Sequence, residues 1–276
     1  MFLLVLPGKN EQKLMLNYQI KKGNDTLLIF VHGNSQSAES WSQVSAQSVL
    51  QDYTLIAVDL PGHGKSFRSK EPLTDYSLKG LSKHLDDFIK NFESTPFMLV
   101  AFSLGANVVG ELQNKFKNCK GIVLAGPSII GKNLQVADVL QPNPNTTALF
   151  TENPCDAEIE LLITDLVCNT TVEWKKKIKA DIKITDPLFR SSVAASVGAQ
   201  DYSDELLNIE KRNIPLAVVF GSREKLCFTD YLDKTDLKKW KDKTILIPDS
   251  GHCIQYDQPE NLAAVIAEFA KEVFKP

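Results

Sequence analysis

The stretch PFMLVAFSLGANVVGEL, residues 96–112, decides the fold. An apolar run, 97–102, continues without a break and stops at Ser103. An unbroken short run of this kind fits a strand buried on both faces. From Leu104 the apolar positions take a helical pattern instead. A lone serine therefore stands at a strand-to-helix junction, with only Leu104, Gly105 and Ala106 beside it.

Outward from that junction, runs of the same character recur. Residues 27–31, 54–59, 122–125, 216–220 and 244–247 are short, nearly all apolar and mostly bounded by Gly, Pro or Asp. Residues 3–6 and 14–20 flank the turn signal PGKN and read as a hairpin. Helical patterns fill the gaps at 41–50, 78–92, 104–116 and 259–274. Ser77 suits the cap of the second, and Pro259 the first turn of the last. Such alternation predicts an α/β fold with right-handed crossovers and helices on both faces of a mostly parallel sheet. With the N-terminal antiparallel hairpin, eight strands are expected.

Between Pro127 and Ile214 the alternation breaks. Helical segments are expected at 157–167, 171–182 and 187–197, with turn signals QPNPN at 141–145 and ENP at 152–154. An insertion of this length is too long for one connection. The expected organisation is a core of 1–126 and 215–276 with a helical lid, 127–214, over the C-terminal edge of the sheet.

The 276 residues are 43% hydrophobic and 24% charged, ordinary for a soluble globular chain, and the net charge is −3. No basic surplus argues for nucleic acid, and no polybasic run for an anionic membrane. No apolar stretch is long enough to span a bilayer, and 1–10 lacks the features of a signal peptide. Five scattered cysteines without a CxxC fit free thiols in a reducing compartment, so a cytoplasmic location is expected and a zinc site is not.

Ligands of open α/β sheets bind beyond the carboxyl ends of the strands. Those ends carry VHGNS at 31–35, DLPGHGKS at 59–66, AFSLG at 101–105, GSRE at 221–224 and SGHCIQYDQPE at 250–260. Five motifs in this order resemble the α/β-hydrolase superfamily, across nearly the whole predicted core. The resemblance implies an α/β-hydrolase fold in which Ser103 is the nucleophile on a strained turn. The small neighbours Gly105 and Ala106 leave room for that turn. Ala101 stands where the family pattern G-x-S-x-G begins with Gly. HGNS also resembles haloalkane dehalogenases, but those attack with an aspartate, and a serine at the elbow points to acyl transfer instead.

A serine hydroxyl needs a base. Of the four histidines, His32 has a structural place in the family's HG motif. His63 fits a bracing role in the PGHG turn, and His84 a solvated position in mid-helix. His252 follows the final strand, where the order Ser…acid…His places the base. The family's acid position after strand 216–220 falls on Glu224, although most relatives carry Asp there. Asp230 and Asp249 are the rivals; Asp59 fits a brace for the PGHG turn. By the same resemblance, the backbone N–H groups of Asn34 and Leu104 form the oxyanion hole. Phe150, Leu161, Leu162, Trp174 and Phe189 are candidates for an apolar acyl pocket, or else for the lid's own core.

The implied activity is hydrolysis of an ester, thioester, amide or related acyl bond of a small molecule, with no metal or organic cofactor required. An acyltransferase or perhydrolase on the same triad, or a ligand-sensing receptor with this fold, would share these residues.

Overall fold

The computed structural model describes residues 16–275. Seven strands occur among them: β1 (Tyr18–Lys21), β2 (Leu27–Val31), β3 (Thr54–Val58), β4 (Phe97–Phe102), β5 (Cys119–Ala125), β6 (Leu216–Gly221) and β7 (Ile245–Ile247). They form one sheet in the order β1-β3-β2-β4-β5-β6-β7, parallel except for β1 against β3. The eighth expected strand, 3–6, and with it the hairpin, lies outside the described residues.

Every side chain of β2, β3, β4 and β6 is buried. That matches their unbroken apolar sequences, since each residue meets a covered face. Burying one such large side chain contributes about 1.5–3 kcal/mol. The helix Leu78–Ile89 shows the other pattern. Leu78, Leu81, Leu85, Phe88 and Ile89 are buried on one stripe, and the Ser77 side chain accepts from the N–H of Gly80.

Register aligns the functional strand ends. Val31 pairs with Ala101, Phe102 with Ala125, Ala125 with Val219, and Gly221 with Ile247. The residues that follow β2, β4, β6 and β7 therefore emerge along one edge of the sheet. Between β5 and β6, the helices Asp156–Leu166, Val172–Ile184 and Pro187–Gly198 match the expected segments closely.

Two helices depart from expectation. The one after Ser103 spans Leu104–Gly110 rather than 104–116. Carbonyls that a longer helix would bond internally are taken by distant side chains: Gly110 O accepts from Asn208, and Leu112 O and Asn114 O from Arg212. The expected helix 41–50 breaks into the 3₁₀ turns Ala38–Trp41 and Ser48–Leu50 and a single α turn, Ser42–Ser45. Its serines and β-branched valines are weak helix formers.

Candidate active site

Ser103 has φ 50° and ψ −122°, a left-handed-side conformation that costs a non-glycine residue about 1–3 kcal/mol. Both sides of the turn are held. The Ser103 N–H donates to Ala125 O (3.0 Å), and Ser103 O accepts from Ala106 N–H (2.7 Å). The helix can begin at once because Gly105 passes under the end of β2. A Cβ there would lie 2.7 Å from the carbonyl oxygens of Val31 and His32. Gly105 is thus required by close backbone approach.

His252 joins Ser103 to Glu224. Its Nε2 lies 3.0 Å from Ser103 Oγ, and its Nδ1 lies 2.8 Å from Glu224 Oε2. The His252 and Glu224 side chains are 3% and 0% exposed, so water competes little for this pair. The second Glu224 oxygen accepts from the N–H groups of Leu226 (2.7 Å) and Cys227 (3.3 Å). With Nδ1–H donating to the carboxylate, Nε2 is free to accept the serine proton.

The rival acids are engaged elsewhere. Asp230 is exposed and paired with Lys234 (3.1 Å), and Asp249 is exposed and paired with Arg223. Asp59 accepts from Ala38 N–H (2.6 Å), Lys65 N–H (2.9 Å) and the Asn17 side chain (2.7 Å), bracing the PGHG turn.

Three histidines have other surroundings. Burial lowers the basicity of His32 and His63, most strongly for His63, where burial is reinforced by the neighbouring His32. A neutral ring both donates and accepts. Nδ1–H of His32 donates to Gly33 O (2.8 Å), and its Nε2 accepts from Leu60 N–H (3.0 Å). His63 spans Pro61 O (3.0 Å) and Ser35 N–H (3.2 Å). His84 is not solvated as expected: it is half-buried, bonded to Asp75 Oδ1 (2.9 Å), with Phe67 against its ring.

The N–H groups of Asn34 and Leu104 have no protein acceptor among the described residues. They lie beside Ser103 at the ends of adjacent strands, and can donate to an oxygen developing charge there. The loop that carries Asn34 is tied down. The Asn34 side chain donates to Leu149 O (2.9 Å). Arg190, 2% exposed, binds Ser35 Oγ (3.2 Å) and the carbonyls of Thr151 (2.7 Å), Glu152 (2.5 Å) and Ile182 (3.0 Å).

A cavity of about 340 Å³ opens on Ser103 and His252. Leu78, Leu104, Ile130, Val136, Leu140, Leu149, Phe150, Val193, Val197 and Leu226 supply most of its wall. Among the described residues no Asp, Glu, Lys or Arg side chain lines it. Asn107, one turn beyond Ser103, also lines it, its side-chain amide donating to Glu205 (2.8 Å), whose carboxyl burial pushes well above its ordinary range. On another side of Ser103 and His252 is a space of about 20 Å³, enough for a water molecule.

Of the five side chains offered for an acyl pocket, Phe150 lines the large cavity, whereas Leu161, exposed, and Leu162, buried, do not. Phe189 does not: it is fully buried against His63 and Tyr76, packing residues 127–214 onto the 1–126 part of the chain. Trp174 does not line it either; it stacks near Tyr256 with the Lys177 ammonium over its ring. Sequence reasoning missed Arg190, and also Asp257, whose carboxylate accepts from the N–H groups of Gly251, Cys168 and Asn169 (2.8–2.9 Å) and so fastens the His252 loop to residues 168–169. Asp257 lies within the quoted motif at 250–260, which was its only sequence signal.

A parallel sheet whose central strand turns sharply into a helix at a serine, with an acid and a histidine from later strand ends, defines an α/β-fold hydrolase. The model of the alpha/beta hydrolase family matches residues 28–265, and the chain belongs to that family. Monoacylglycerol lipase ABHD6 of Rattus norvegicus is 20% identical over 271 residues, covering 94% of this chain and 80% of the relative. Among solved structures, N-acyl homoserine lactonase AidH in complex with N-butanoyl homoserine superposes with a TM-score of 0.86 at 21% identity, covering 95% of this chain and 94% of that one. A putative aryl esterase from Burkholderia cenocepacia superposes with a TM-score of 0.78 at 19% identity, covering 94% of each chain. Among the described residues no helix is long and apolar enough to cross a membrane.

Proposed function

We propose that the chain is a serine hydrolase that cleaves an ester or lactone of an uncharged, largely apolar small molecule through an acyl-enzyme on Ser103. The observation that carries this is the hydrogen-bonded chain Ser103–His252–Glu224, at 3.0 and 2.8 Å, opening on an apolar cavity. His252 Nε2 takes the Ser103 proton as Oγ attacks the acyl carbon, and returns it to the leaving oxygen. Glu224 holds the imidazole in the reactive tautomer and stabilises the imidazolium. The N–H groups of Leu104 and Asn34 receive the oxyanion, at about 3–4 kcal/mol per donor in comparable sites. Water then attacks the acyl-enzyme with His252 as base.

The cavity sets the substrate class. Among the described residues its wall offers no counter-ion for an anionic or cationic acyl group, whose desolvation would go uncompensated. The similar proteins are named as a lipase, a lactonase and an aryl esterase, which supports an acyl–oxygen bond over an amide. In this reading residues 127–214 act as the lid that supplies much of the wall. The five cysteines are unpaired, which fits a cytoplasmic, reducing setting.

The test combines p-nitrophenyl esters of graded chain length with a fluorophosphonate probe. The probe should label Ser103 alone, and Ser103→Ala should abolish both labelling and turnover. Neutral acyl chains should be preferred over ω-carboxylated chains of equal length. Glu224→Gln should lower kcat by orders of magnitude, with about 10⁴-fold known for the equivalent change in a serine protease, while Asp230→Asn should be nearly silent. The reverse ranking of those two variants would move the acid to Asp230. Labelling without turnover on any ester would favour a receptor over a hydrolase.

A further inference from the structure

The loop that carries Glu224 is clamped by a segment more than eighty positions earlier in the chain. Phe228 N–H donates to Val139 O (2.9 Å), and Gln141 N–H donates to Leu226 O (2.8 Å). Leu140 and Cys227 form an antiparallel bridge. The Gln141 side chain adds two contacts, from Nε2 to Cys227 O (2.6 Å) and to Glu224 O (3.4 Å).

These contacts matter because a peptide unit is planar and turns as one piece. In the unit joining Leu226 to Cys227, the carbonyl accepts from Gln141 N–H and the N–H donates to Glu224 Oε1. In the next unit, the Cys227 carbonyl accepts from Gln141 Nε2 and the Phe228 N–H donates to Val139. The carbonyl of Glu224 itself is the other target of Nε2. Rotating either plane would break contacts to residues 139–141, and rotating the first would also swing the Cys227 amide away from the Glu224 carboxylate. Both hydrogens of the Gln141 amide are used.

We propose that Gln141 is a positioning residue for Glu224. Its side-chain amide pins the carbonyls of Glu224 and Cys227, and so fixes the turn whose N–H groups aim the carboxylate at His252. The role rests on the reading of Ser103, His252 and Glu224 as the catalytic triad. Leu140, Leu226 and Cys227 also line the cavity, so the clamp is part of the wall that meets substrate.

The variants are Gln141→Met, which keeps length and removes both donors, and Gln141→Asn, which keeps the donors one methylene short. Lys225→Met is the control. It removes an exposed ion pair to Asp165 (3.1 Å) from the same loop without touching the clamp, and should leave kcat unchanged. Gln141→Met should lower kcat about three- to tenfold at unchanged KM, the range for losing modest hydrogen bonds that act only on the acid. Gln141→Asn should fall between Gln141→Met and the parent protein. In a Glu224→Gln background, Gln141→Met should cost nothing more, because the residue it acts through is already disabled. The low-field proton resonance of His252 Nδ1–H, assigned by its loss in His252→Ala, should weaken or exchange faster in Gln141→Met. Losses that multiply in the double variant, with an unchanged resonance, would overturn the proposal and leave Gln141 a merely structural residue. If the parent protein shows neither labelling nor turnover, the triad reading fails instead, and the proton resonance alone still decides whether Gln141 holds the Glu224–His252 pair.

Discussion

Ser103 pays for its exposure in backbone energy, and that can be measured apart from chemistry. At φ 50° and ψ −122° a side chain is strained whatever its nature, so Ser103→Ala removes the hydroxyl and keeps the strain. Ser103→Gly removes both. Glycine also gains freedom in the unfolded chain, which offsets about 0.5–1 kcal/mol of the relief. The glycine variant should therefore melt above the alanine variant, by about 1 kcal/mol of stability. Equal melting temperatures would mean that the turn carries little strain. This residue was legible before any coordinates because everything that singles it out is local: an apolar run, one serine, then glycine and alanine. Glu224 was legible only as a position after a strand, since its residue type is unusual there and Asp230 stands in the same loop. What separates the two is burial, with Glu224 sealed against His252 and Asp230 in solvent beside Lys234.

At the scale of elements, the helix Val172–Ile184 meets the core through Asp181, which accepts from Ser37 Oγ (3.0 Å). Burial raises the Asp181 carboxyl to about 6; the Ser37 hydroxyl opposes the shift, and the charges of Asp59 and Glu39 add to it. The folded state thus holds this proton more tightly than the unfolded chain. Its contribution to stability is full below the unfolded value of 3.8 and is lost as pH rises through about 6. Asp181→Asn keeps an acceptor for Ser37 and never ionises. It should match the parent protein in stability near pH 4 and exceed it by about 1–2 kcal/mol at pH 7, the cost of the buried charge being partly screened by solvent. Chemical unfolding at the two pH values measures this; a constant difference between the proteins would remove Asp181 as its source. Elements were legible where a single periodicity ran the length of the segment, as in the helices of the insertion. They were misread where distant groups intervene. Nothing in 104–116 reveals that Arg212 and Asn208 will take its carbonyls, and the helix ends at Gly110 for that reason.

Across the whole molecule, the site is assembled from parts far apart in the chain. Arg190 fastens the Asn34 loop, Asp257 the His252 loop, and residues 139–141 the Glu224 loop, each linking residues 127–214 to the rest of the chain. Apart from the place of Asp257 in the motif at 250–260, none of these links has a sequence signature, because a hydrogen bond between residues tens of positions apart leaves no periodicity to read. The Leu140–Cys227 bridge has a consequence for transplantation. Recombining family members by swapping the entire segment 127–214 replaces one half of that bridge and keeps the other. Such a chimera should fold, since the sheet is untouched, yet turn over esters far more slowly than either parent. A splice made after Gln141, which leaves 127–141 with its native core, should recover most of the lost kcat. The two junctions compared on one ester would show how far the insertion can be exchanged as a module.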